Sequence, residues 1–99
     1  MASGDVVLDR TFDVDQPAGV RVDLFACRDP DRPGGYKYSF QCYDRETGET
    51  LLRYDNAHDH PAAGWHHRHE GETTPEAITF DGLASHLRRF RSEVTQIDD

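Results

Sequence analysis

The sequence predicts an α+β domain: an antiparallel β-meander of about four or five strands, with one C-terminal amphipathic helix packed on a face. Three observations carry this. Apolar residues recur at every second position through the first half of the chain, turn-forming clusters separate these runs, and near the C-terminus the period becomes that of a helix. With 99 residues there is room for a single domain over 1–99, and with 35% hydrophobic residues its core is expected to be thin.

Residues 1–4 read as a disordered start, and 5–55 as the antiparallel strands. Over 5–14, Val6, Leu8, Phe12 and Val14 keep a period of two, with Arg10 interrupting. Gln16-Pro17-Ala18-Gly19 is a turn. Over 20–27 the alternation is clean, with Val20, Val22, Leu24 and Ala26 on one face and Arg21, Asp23, Phe25 and Cys27 on the other. The stretch 29–35 is turn chemistry throughout, because proline fixes φ and glycine admits positive φ. The next strand, 36–43, places Tyr36, Tyr38, Phe40 and Cys42 on one face, and a hairpin loop at 44–48 leads into a strand at 49–55. A His-rich loop is expected over 56–78. Leu83, Leu87, Phe90, Val94 and Ile97 then form the apolar stripe of a helix over 81–97, with Asp81 as its N-cap and Arg88, Arg89 and Arg91 on its exposed flanks. His86 borders the stripe, which favours a packing role.

Nineteen acidic against eleven basic residues leave a net charge of −8, which opposes broad electrostatic attachment to nucleic acid while allowing a local cationic groove. Thirteen of the acids are Asp, and Lys37 is the single lysine; this acidic composition points to a halophilic surface, that of a salt-adapted prokaryote. No apolar run approaches the roughly 20 residues of a membrane span, and residues 1–20 lack a signal-like stretch, so a cytoplasmic location without membrane contact is expected. In a hairpin of 20–27 and 36–43, Cys27 lies near the turn and Cys42 about six residues, roughly 20 Å, away from it. A disulfide needs Cα atoms within about 7 Å, so two free buried thiols are expected.

The chemistry is expected in the stretch 53–69, which holds five of the six histidines. Three readings compete. In the first, imidazoles act as general base and general acid, with His67 and His69 as the pair and His60 and Asp55 assisting. Cleavage of an RNA phosphodiester needs such a pair and a cation, but no metal or other cofactor, because the 2′-hydroxyl is the nucleophile. Arg53 and Arg68 would supply the cation, Tyr54 or Trp65 would stack a base, and His66 would join them in binding substrate. In the second reading the cluster binds a metal: if 66–69 is extended, His67 and His69 project to the same side, His58 and His60 could do the same, and Asp55 or Asp59 offers a carboxylate, although the spacing fits no established zinc signature and the cysteines lie elsewhere. In the third, the histidines and Trp65 fix the loop through hydrogen bonds and do no chemistry.

The block Arg53-Tyr54-Asp55-Asn56-Ala57, then His60-Pro61, then His66-His67-Arg68-His69, resembles the TumE family of small toxins. The likeness covers roughly 20–97, with the Tyr-rich strand before the block and the amphipathic helix after it. Where the family reads Ala-Pro-His-His-Pro, this chain reads Ala57-His58-Asp59-His60-Pro61, so Asp59 stands at a customary histidine; Trp65 replaces the proline before the double histidine. The resemblance implies the toxin of a two-gene toxin–antitoxin module, neutralised by a helix-turn-helix antitoxin, with ribonuclease activity as the expected mode of action. The alternative is a non-enzymatic protein whose His-rich loop binds a metal or a partner. An edge strand of the meander would suit antitoxin docking or a homodimer.

Overall fold

The computed structural model describes residues 5–14, 18–57, 59, 61, 64–71 and 75–97. Six strands, each antiparallel to the next, form one sheet in chain order: β1 (Val6–Val14), β2 (Val20–Arg28), β3 (Tyr36–Asp44), β4 (Thr50–Asp55), β5 (His67–Glu70) and β6 (Glu76–Ala77). The helix α1 spans Leu83–Val94. The expected meander and its covering helix are therefore present, but among the described residues the strand count is six rather than four or five. Both additional strands lie inside the stretch expected to be a loop. His67-Arg68-His69-Glu70 carries no apolar alternation, so its pairing with β4 has no hydrophobic signature in the sequence.

Pairing registers follow the apolar alternation. Val22 lies opposite Cys42, Leu24 opposite Phe40 and Ala26 opposite Tyr38; across the next pair, Cys42 meets Leu52 and Phe40 meets Tyr54. These residues share one face of the sheet and form the core, with Phe90 and Val94 of α1 pressed onto them. Slipping a strand by one residue would turn this set outward, so burial specifies the register. Phe90 is fully buried and meets the Phe40 and Tyr54 rings edge-on at 5.7 and 5.1 Å, which makes it the main anchor of the helix. Its burial is worth about 2–3 kcal/mol. The helix is shorter than expected at both ends, and its N-cap is Gly82 with no side-chain cap, in place of Asp81. Gly82 has φ +110, a conformation that a non-glycine residue at this bend would resist.

Among the described residues no helix lies on the opposite face of the sheet. Asp23, Gln41 and Tyr43 make a loose polar network on it, with Gln41 Nε2 donating to Asp23 at 3.4 Å. Cys27 and Cys42 are both free and buried, as expected. No helix among the described residues is long and apolar enough to cross a membrane.

A carboxylate and two imidazoles on the uncovered face

The period of a strand sorts the candidate residues into two groups. In the β4–β5 register Asp55 pairs with His67, Tyr54 with Arg68 and Arg53 with His69. Successive side chains point to opposite faces. Arg53, Asp55, His67 and His69 therefore share the face opposite the helix, while Tyr54 and Arg68 lie beneath the helix.

On the uncovered face, the ligating atoms of Asp55, His67 and His69 all lie within 4.8 Å of one another. Asp55 Oδ1 is 2.8 Å from His67 Nδ1, and Arg53 Nε is 2.8 Å from Asp55 Oδ2, so the two carboxylate oxygens have different neighbours. The rings of His67 and His69 stand 5.3 Å apart and nearly perpendicular. His67 is fully enclosed and the Asp55 side chain is 7% exposed, whereas His69 is half-buried and the Arg53 side chain is 37% exposed. Access from solvent is thus by way of His69 and Arg53. Lys37, Ser39 and Gln41 of β3 alternate onto the same face and continue it.

Beneath the helix the chemistry is structural. Arg68 Nε donates to Glu93 Oε1 at 2.9 Å and its Nη1 donates to Glu76 at 2.6 Å, while the Tyr54 hydroxyl donates to Glu93. Tyr54 is fully buried. Two expectations are corrected here: Tyr54 cannot stack a base, because helix α1 covers its ring, and Arg68 is committed to carboxylates of this chain rather than to a phosphate. His66 also belongs to the helix side. Its Nδ1 shares a 2.9 Å hydrogen bond with the Tyr38 hydroxyl, its ring stacks on Phe80 at 4.8 Å, and burial holds its pKa below the ordinary imidazole value. His66 thus packs on the helix side, apart from Arg53 and Asp55. His60 lies outside the described residues, as does His58.

Two further residues organise the site from outside the expected set. Asn56 is completely buried; its Oδ1 accepts from the Tyr38 backbone at 3.0 Å and its Nδ2 donates to the Tyr36 carbonyl at 2.7 Å, extending β4 past its last pair. Arg32 donates to the carbonyls of Asn56 and Ala57 at 3.0 and 2.9 Å, and its guanidinium lies 5.3 Å over the Trp65 ring. Together they hold the β4 exit, and hence Asp55, against the β2–β3 turn. An Asn directly after a strand is a visible signal for such a role, because its amide can imitate a backbone pair. Arg32, 24 residues away in a turn, offered none.

A family model described as Toxin TumE matches residues 5–98, nearly the whole chain. The chain belongs to the TumE family. TumE proteins are toxins of toxin–antitoxin systems, which implies an antitoxin partner for this one. No curated protein and no solved structure gave a significant match. The TumE motif residues noted in the sequence divide in this fold between the uncovered face (Arg53, Asp55, His67, His69) and a supporting group (Tyr54, Asn56, His66, Arg68).

Proposed function

We propose that this TumE toxin acts as an endoribonuclease, that Arg53, Asp55, His67 and His69 form its reactive centre, and that its antitoxin is of the helix-turn-helix type. The observation that supports this most is the convergence of two imidazoles, one carboxylate and one accessible guanidinium on the uncovered sheet face. RNA carries its own nucleophile in the 2′-hydroxyl. Its cleavage needs a group to take the hydroxyl proton and a cation facing the charge that builds on phosphorus. His69 is the imidazole of this set that a substrate can reach, and Arg53 is the accessible cation. Asp55 and His67, both enclosed, position His69 rather than meet substrate. A local cation at this spot is compatible with RNA binding by a chain of net charge −8. His60 was expected to assist and keeps that role in the proposal.

Incubating the purified protein with total RNA tests this. The expected result is internal cleavage leaving 2′,3′-cyclic phosphate ends, lost in Arg53→Ala. Intact RNA at high protein concentration, in low and in molar salt, would refute it.

A further inference from the structure

The enclosure of His67 has a chemical consequence. An acid or base must touch its substrate, and a fully buried imidazole does not. A metal ligand has no such requirement. We propose that Asp55, His67 and His69 hold one divalent first-row transition-metal ion, of the zinc class. This rests on the reading of the same residues as the toxin's reactive centre, and it replaces the metal-free pair expected from the sequence; with the ion held, His69 serves as a ligand in place of the proton-accepting role given to it above.

Four features of the site carry it. First, the donor set is two imidazoles and one carboxylate, which suits zinc and its neighbours and does not suit magnesium or calcium. Second, the β-strand delivers it: His67 and His69 are two apart on β5 and project to the same side, and Asp55 is the direct partner of His67 across the ladder. Third, the three donor atoms lie within 4.8 Å. Tetrahedral ligands with bonds of about 2.1 Å stand roughly 3.4 Å apart, so small side-chain rotations close the set around an ion. Fourth, Arg53 engages Asp55 Oδ2 at 2.8 Å and leaves Oδ1 on the side of His67, the arrangement by which an outer partner aims a ligating carboxylate. Three protein ligands leave a fourth position, on the half-buried His69 side, for water or a phosphate oxygen.

The test uses the full chain, stripped with a chelator and titrated with Zn²⁺ or Co²⁺ alone, without RNA. One ion per chain is expected, with visible absorption bands for the Co²⁺ form. His69→Ala should weaken binding by about 100-fold or more, since even outer partners of such sites cost 10–100-fold. Asp55→Asn should do the same, and a melting curve shows whether each variant is folded. Glu76→Gln, on the exposed far end of β6, should bind as the parent does. Sub-stoichiometric binding, or equal affinity in folded His69→Ala, would overturn the proposal. The two readings fail separately. A stoichiometric ion with RNA left intact supports the metal site and removes the nuclease, whereas RNA cleavage by protein that binds no ion removes the metal site alone.

Discussion

His86 offers a quantitative test of how the helix is seated. Its ring is 2% exposed and stands 4.9 Å from each of the Tyr38, Tyr54 and Phe80 rings. Among the described residues its Nε2 has no hydrogen-bond partner. Burial in this aromatic surround lowers its pKa from 6.5 to about 4, with His66 and Arg89 adding to the effect. The folded state therefore keeps His86 neutral while the unfolded chain protonates it. Stability from this group is fully present above about pH 6.5 and is lost as pH falls toward 4, because the unfolded chain then binds the extra proton. At pH 5 the loss comes to about 2 kcal/mol, from roughly 1.4 kcal/mol per unit of pKa difference. His86→Phe keeps the aromatic packing and removes the titration. Urea unfolding of both proteins at pH 7.5 and pH 5, at constant salt, should show the variant gaining about 2 kcal/mol on the parent between the two pH values. Parallel losses in parent and variant would refute the buried neutral imidazole.

Three more outcomes follow from the packing. Gly34→Ala would place a Cβ 2.6 Å from the Phe80 ring at φ +88, so it should destabilise by about 1–3 kcal/mol in thermal melts. Arg68→Met removes the nearer cation of Glu93, leaving Arg89 at 4.0 Å, and should cost about 2 kcal/mol. A double-mutant cycle with Glu93→Gln should recover part of that loss. Cys42 is fully buried with its thiol pushed up to about 11, so it should resist alkylation at pH 8 until the chain is unfolded, as mass spectrometry would show.

Four strands and the helix were legible because each carries its own periodicity: Val20 to Ala26 alternate, Tyr36 to Cys42 alternate, and Leu83 to Val94 repeat at 3.6. β5 was not legible as a strand, since its residues are His, Arg, His and Glu and its place comes from a ladder to β4. The same ladder decides the site. Sequence proximity groups Arg53 with Tyr54 and His67 with Arg68, but a pleated strand sends neighbours to opposite faces, so half of the motif serves the helix interface. Asp55, His67 and His69 were recognisable as residue types for acid–base or metal chemistry. What stayed hidden was the enclosure of His67, since burial is a property of the fold and not of the residue type. The absent Asp81 cap has a similar origin: Gly82, at φ +110, turns the chain into the helix one residue later.

Adjacent residues of β5 give the most direct measurement, because they face opposite sides of one sheet. Cells expressing the parent, His69→Ala and Arg68→Met without antitoxin should separate these roles by growth and by the melting point of the purified protein. His69→Ala is expected to abolish growth inhibition at an unchanged melting point, while Arg68→Met lowers the melting point and keeps inhibition at low temperature. Full growth inhibition by folded His69→Ala would contradict the placement of the toxin's chemistry on the uncovered face.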